Sequence, residues 1–269
     1  MNTITKLVTP GPLDDIDFER RFGGIARLYG DVALERLCAA HVCVVGIGGV
    51  GSWAVEALAR SGVGRLTLID LDHIAESNIN RQIHALEQTL GQAKVLAMAE
   101  RIAAINPHCV VQTIEEFATP ENVAELLPAC DAVIDAIDQV RAKAAIIAFC
   151  RGAGTYVVTT GGAGGRSDPT RVVVDDLSST TQDALASKVR ALLRKEYGFP
   201  REPKKKFDVE CVYSPEQLVR PAEAGCDVGE DALQGLNCAG YGSSVAVTAT
   251  FGFAAAARVL TRLGNASKG

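Results

Sequence analysis

The chain opens with a polar stretch in which Pro10, Gly11 and Pro12 interrupt any periodic run. It then alternates short apolar runs with longer segments of helical spacing. A helical stretch is expected around Asp31 to Ala39. Val42 to Val45 reads as a short buried strand that runs directly into Gly46-Ile47-Gly48-Gly49-Val50-Gly51-Ser52. Trp53 to Ser61 follows, with Val50, Ala54, Ala57 and Leu58 at helical spacing and Gly62 as the stop. Arg65 to Asp70 is the next strand. Gly91 to Ile105 reads as a helix ended by Asn106-Pro107, since proline has no amide with which to continue the ladder. Strand Val110 to Ile114, helix Glu121 to Leu127, strand Ala132 to Ala136, helix Val140 to Arg151 and strand Tyr156 to Thr160 complete this part. Such an alternation predicts an α/β fold, a Rossmann-like, doubly wound and mostly parallel sheet with helices on both faces.

From about Gly161 the pattern changes. The cluster Gly161-Gly162-Ala163-Gly164-Gly165 and Asp168-Pro169-Thr170 predict turns, and Arg171 to Val174 a strand. A polar helix is expected from about Asp183 to Tyr197, then a loop with Lys204-Lys205-Lys206, and an apolar helix over Ser243 to Leu263. The expected organisation is an N-terminal arm (1–30), a nucleotide-binding core (31–165) and a C-terminal, antiparallel extension of the same domain (166–269). No internal repeat or low-complexity segment is evident.

Composition narrows the classes. A chain of 269 residues with 48% hydrophobic and 22% charged residues can bury a full core, and its net charge of −5 rules out a globally basic nucleic-acid binder. The eight cysteines are scattered with no CxxC pair, so a zinc ribbon is not expected. Met1 to Gly11 shows no basic-then-apolar run. Free thiols in a reducing cytoplasm are therefore expected.

A strand, a GxGxxG turn and a helix form a phosphate-binding arrangement, because glycines let backbone amides approach phosphate at a helix N-terminus. Asp70 ends the second strand, where a carboxylate can accept ribose hydroxyls. The loop beyond it selects among nucleotides. It carries Asp72, Asn78, Arg81 and Gln82, with Lys94 opening the next helix. Cations aimed past the glycine turn suit nucleotidyl transfer, where charge builds on phosphoryl oxygens, and a hydride-transfer site has no need of them. Asn78 and Gln82 can bond phosphate or fix Arg81.

In order and spacing, GxGGVGS, Asp70-x-Asp72, Asn78-x-x-Arg81-Gln82, Lys94 and Asp135-Ala136-Ile137-Asp138 resemble the E1-like adenylating enzymes. That resemblance implies ATP and magnesium as cofactors. It assigns Asp70 to the ribose, Arg81 and Lys94 to the triphosphate as catalytic cations, and Asp138 to magnesium and the α-phosphate. The nucleotide-binding set it implies is Gly46, Gly48, Gly49, Gly51, Ser52, Asp70, Asp72, Asn78, Arg81, Gln82, Lys94 and Asp138.

Two departures sort the chain within that family. The sulfur-carrier adenylating enzymes carry paired CxxC zinc ligands, whereas Asp208 stands here at the first thiol, before Cys211, so no structural zinc is expected. They also carry an Arg-Tyr-x-Arg pattern, where this chain has Arg21-Phe22-Gly23-Gly24, with Arg27 nearby. The segments 21–30, 80–85, 159–165, 168–170, 208–214 and 248–253 instead resemble the tRNA threonylcarbamoyladenosine dehydratase branch. That branch cyclises the threonylcarbamoyl group on adenosine 37 of certain tRNAs and consumes ATP. Adenylating or phosphorylating the threonyl carboxylate makes it electrophilic, and the adjacent carbamoyl group then closes a ring within one molecule, which benefits from high effective molarity.

The resemblance further implies tRNA as partner and a homodimer, with a sulfurtransferase or cysteine desulfurase as a further candidate partner. Lys188 to Lys206 holds eight basic residues against Glu196 and Glu202. Arg201, Lys204, Lys205 and Lys206 are therefore candidate contacts to the tRNA backbone. Cys211 and Cys238 are read as structural or incidental thiols. The Asn237-to-Gly242 loop and the glycine cluster offer carbonyls to a monovalent cation. Ser243 to Ala257 carries no charge but is shorter than the ~20 residues that span a bilayer. It predicts a buried or interfacial helix, with peripheral membrane association as the alternative. Two other functions fit parts of the pattern: adenylation of a sulfur-carrier protein's C-terminal carboxylate, and an NAD-dependent oxidoreductase built on the glycine turn alone.

Overall fold

The computed structural model describes residues 4–8, 17–202, 204–219 and 241–265. Its strands are β1 (Ile4–Val8), β2 (His41–Val45), β3 (Arg65–Ile69), β4 (Val110–Glu115), β5 (Ala132–Asp135), β6 (Tyr156–Thr160), β7 (Val173–Asp176) and β8 (Glu210–Tyr213). Its helices are α1 (Phe18–Tyr29), α2 (Asp31–Ala39), α3 (Gly51–Arg60), α4 (Lys94–Ile105), α5 (Val123–Leu126), α6 (Val140–Ala153), α7 (Ala184–Glu196) and α8 (Val245–Gly264). The strands form one eight-stranded sheet in the order β1-β4-β3-β2-β5-β6-β8-β7. β1–β4 and β7–β8 pair antiparallel, and every pairing between them is parallel.

A parallel strand covered on both faces is mostly apolar, and each residue of His-Val-Cys-Val-Val in β2 is buried, with the His41 ring bonded to the Ala129 carbonyl and the Thr67 hydroxyl. On one face Leu58 of α3, Met98 of α4 and Phe251 of α8 join the core, and on the other Leu126 of α5, Ile147 of α6 and Val189 of α7. The charge-free C-terminal stretch is explained by α8 lying along α3. Phe251, Ala255 and Val259 are fully buried there, and a Cβ at Gly252 would stand 2.4 Å from the Val50 carbonyl oxygen. Among the described residues no helix is long and apolar enough to cross a membrane.

Three elements differ from the sequence expectation. The expected irregular arm holds β1 and α1. β1 is an edge strand with exposed Thr5, Lys6 and Leu7, held by backbone pairing that leaves little mark on hydropathy. α1 contains Gly23 and Gly24, which weaken helix propensity, yet Asp17 caps its first turn through the Arg20 amide and Phe22 is buried. β8, in the segment after the lysine loop, is a strand the sequence expectation does not contain. The C-terminal extension is antiparallel only at β7–β8, since β8 runs parallel to β6.

A buried ion pair sits beneath the end of β5. Lys143 Nζ donates to Asp135 Oδ2 at 2.8 Å and to Thr159 Oγ1 at 3.0 Å, and Thr159 Oγ1 donates to the same carboxylate at 2.6 Å. Lys143→Met strands the Asp135 carboxylate in the core and should lower stability in urea denaturation by about 3–5 kcal/mol. Gly252→Ala should push α8 off α3 and cost about 1–3 kcal/mol in the same measurement.

Candidate functional site

A doubly wound sheet presents its ligand site at the carboxyl ends of its strands. Here the segments after β2, β3, β4, β5 and β6 all border one cleft of about 440 Å³. Gly46 takes φ +88°, and a Cβ at Gly51 would lie 1.7 Å from the Gly46 carbonyl oxygen, so the turn closes only with glycine at both positions. Gly46, Gly48 and Gly49 line the cleft, while Gly51 serves the turn's closure outside the lining.

Asp70 anchors this turn. Its Oδ2 accepts the Ile47 amide at 2.6 Å and its Oδ1 the Asp72 amide at 2.9 Å. Burial raises its pKa, against the opposing pull of the Lys94 charge and these amides. Lys94, at the start of α4, is 7% exposed at its side chain and donates to Asp72 Oδ2 at 2.6 Å. Arg81 Nη1 donates to the Ser77 carbonyl at 2.7 Å and to Asn80 Oδ1 at 2.9 Å, and Trp53 Nε1 bonds the Arg81 carbonyl at 2.9 Å. Burial lowers the Arg81 pKa, but a guanidinium stays protonated in a protein. Asp138 follows β5 and enters the same lining.

The cleft thus gathers Gly46, Gly48, Gly49, Asp70, Asp72, Arg81, Gln82, Lys94 and Asp138. Ser52 and Asn78 stand outside it. Ser52 is fully buried in α3, and the Asn78 side chain accepts the Ala75 amide at 3.0 Å to shape the short turn before Arg81. Asn78 shapes the loop and Gln82 reaches the cleft, a division that spacing alone did not reveal. Arg21 donates to the Ile105 carbonyl at the end of α4, and neither Arg21 nor Arg27 lines the cleft.

Sequence reasoning did not place Glu116, Phe117 and Ala118 after β4, the Gly161-to-Gly164 turn after β6, or Ser243 and Thr248 at the start of α8. The available signal was topological, because each of the first two segments directly follows a parallel strand. Thr248 comes from the far end of the chain, and the resemblance of segment 248–253 does not say that it meets the cleft.

The basic stretch is not part of the cleft. Lys206 borders a second hollow of about 560 Å³ with Arg151, Tyr156, Arg258 and Arg262, at the opposite end of β6. Arg190 and Arg194 turn inward, Arg190 onto the Thr180 hydroxyl and Arg194 onto the Pro200 carbonyl and the Phe207 ring. Lys188, Lys195, Arg201, Lys204, Lys205 and Lys206 remain exposed. Cys211 is fully buried in β8 and burial pushes its thiol upward, which leaves it inert. Cys238 and most of its loop lie outside the described residues.

Residues 22–268 match the ThiF family model. The chain is 50% identical over 250 residues to a Haemophilus influenzae tRNA threonylcarbamoyladenosine dehydratase, covering 92% of this chain and 94% of that protein. The Escherichia coli tRNA N6-threonylcarbamoyladenosine dehydratase in complex with ATP superposes with a TM-score of 0.84 at 49% identity, over 94% of this chain and 97% of that one. The AMP complex of the same protein gives 0.83 at 48% identity, over 94% and 98%. A family model spanning nearly the whole chain, and half-identical relatives matched over more than nine-tenths of both chains, leave one conclusion: the chain belongs to the ThiF family, within its tRNA threonylcarbamoyladenosine dehydratase branch.

Proposed function

We propose that this chain dehydrates N6-threonylcarbamoyladenosine at position 37 of tRNA, using ATP to activate the threonyl carboxylate for ring closure. One observation carries the reading: two cations, Arg81 and Lys94, share a cleft with the glycine turn, Asp70 and Asp138. The activity named for its half-identical relatives, and the ATP and AMP bound by the E. coli protein, support it.

In this reading Asp70 receives the ribose hydroxyls while it holds the glycine turn. Arg81 and Lys94 draw charge from the phosphoryl oxygens as it develops, which is what a preorganised cation contributes. The carboxylate oxygen bonds the α-phosphorus and pyrophosphate leaves, or it bonds the γ-phosphorus and ADP leaves. The carbamoyl group then attacks the acyl carbon, AMP or phosphate departs, and one proton is released. No enzyme nucleophile is required, in keeping with the inert Cys211.

Magnesium beside a nucleotide needs only one or two carboxylates, because phosphates and water fill its remaining positions. The described residues hold no cluster of three or more metal-ligating side chains, and Asp138 at the cleft fits the smaller demand. Bound there, magnesium would neutralise phosphate charge.

Exposed Lys206, at the far end of β6, and its neighbours Lys204 and Lys205 would meet tRNA backbone away from the reacting base. A cytoplasmic homodimer is the proposed assembly. Leu28 and Val32, 73% and 56% exposed, are apolar surface that a second copy could cover. A sulfurtransferase remains a candidate partner by resemblance alone.

Lys94→Ala and Arg81→Ala should each lower the rate of nucleoside cyclisation about 10²–10³-fold, measured by mass spectrometry of digested tRNA. Near-wild-type rates would refute the cation assignment. Changing Lys204, Lys205 and Lys206 together to alanine should weaken tRNA binding and flatten its salt dependence by about 2–3 in log–log slope. Unchanged affinity at physiological salt would remove these residues from the interface. A strain lacking the chain should retain open threonylcarbamoyladenosine, and persistence of the cyclic form would overturn the function.

A further inference from the structure

Beyond β6 the cleft wall is the Gly161-to-Gly164 turn, and it is held with unusual completeness. The Gly161 amide donates to the Val212 carbonyl at 2.8 Å and the Gly162 amide to Asp183 Oδ2 at 2.9 Å. Arg166 Nε donates to the Gly162 carbonyl at 2.8 Å. The remaining donors of this guanidinium reach the carbonyls of Ser214, Glu216 and Gln182 and the Asp183 carboxylate. All five N–H groups an arginine owns are therefore used. The Glu216 carboxylate in turn takes the amides of Ser167 and Asp168 and the Ser167 hydroxyl.

Arg166 is 4% exposed and its side chain and that of Asp183 are each 1% exposed. Burying such a pair stabilises little more than apolar packing would, so its return is geometric definition. A Cβ at Gly161 would stand 2.2 Å from Asp183 Oδ2, so the turn and the pair fit only as they are. Among the described residues, the amides of Ala163 and Gly164 donate to nothing, and both residues line the cleft. Consecutive unpaired amides in a glycine turn form a concavity suited to an anionic oxygen.

Sheet order says which anion. Asp70 follows β3, the glycine turn β2, Asp138 β5 and the 161–164 turn β6, in adjacent sequence across the sheet. At about 4.8 Å per strand, a nucleotide that spans Asp70 to Asp138 ends one strand short of the turn. That leaves the β6 side of the cleft open to the group that attacks its phosphorus. We propose that the Gly161-to-Gly164 turn seats the acceptor's carboxylate through the Ala163 and Gly164 amides, with Arg166 and Asp183 as the positioning pair that holds it. This rests on the carboxylate-activating function proposed above.

The test uses the full chain with tRNA carrying N6-threonylcarbamoyladenosine. Asp183→Asn keeps the shape but turns a donor toward the Gly162 amide, and Arg166→Lys keeps the charge but loses the fork. Gly164→Leu fills the seat without touching the pair, since a Cβ there meets nothing closer than 3.7 Å. Each should lower kcat/KM for the tRNA roughly 10²-fold while the ATP dissociation constant stays within about threefold. Gly164→Leu decides the matter should the buried variants not fold. Wild-type turnover by Gly164→Leu, or loss of ATP affinity in step with turnover, would overturn the assignment. A wild-type chain that binds ATP yet leaves the tRNA nucleoside open overturns the functional reading, and the acceptor seat with it.

Discussion

The hydrogen bond from the Ile47 amide to Asp70 Oδ2, at 2.6 Å, joins the two features on which the cleft depends. One is a glycine turn with room for no side chain at Gly51, and the other is a buried carboxylate at the end of the neighbouring strand. Parallel pairing of β2 with β3 brings Val45 opposite Ile69, which sets the turn beside the acid. The second oxygen of Asp70 holds the Asp72 amide, and Asp72 holds Lys94. A single carboxylate thereby links the glycine turn to Lys94. Removing that carboxylate would unpair the amides of Ile47 and Asp72.

The rest of the cleft follows the same economy of shared contacts. Trp53, two residues into the helix that the turn begins, fixes the Arg81 backbone, and the Arg81 stem packs within 3.2 Å of where a Gly49 Cβ would stand. The C-terminal helix closes the assembly by pressing Gly252 onto the start of α3 and presenting Thr248 to the cleft. Lys94 is buried and Arg81 half-buried, so water screens the lysine less than the arginine. The sheet supplies the floor of the cleft, and the loops at its carboxyl edge supply its charged side chains.

The opposite edge has a different character. Exposed Lys206 there borders the hollow at the start of β6, at the opposite end of that strand from the cleft. Arg258 pairs with Glu210 at 2.5 Å and Arg262 lies over Tyr156, so part of the positive charge on this side is already committed to structure. Exposed basic groups, and not the full count in the sequence, are what a polyanion could meet.

Local pattern was enough to recover the parallel core. Its strands are short and mostly apolar, its helices are periodic, and Gly46, Asp70 and Asp138 stand at or just past a strand end. Such residues announce themselves because their roles depend on neighbours close in sequence. β1 and α1 escaped notice because an edge strand is held by backbone bonds and a double glycine hides a helix. The separation of Gln82 from Asn78, the inward turn of Arg190 and Arg194, and the clamp of Arg166 on Asp183 and Gly162 depend on segments that meet only when the chain folds. Periodicity reports which face of an element is buried, whereas the partner of a buried polar group is chosen by whichever distant segment packs against it.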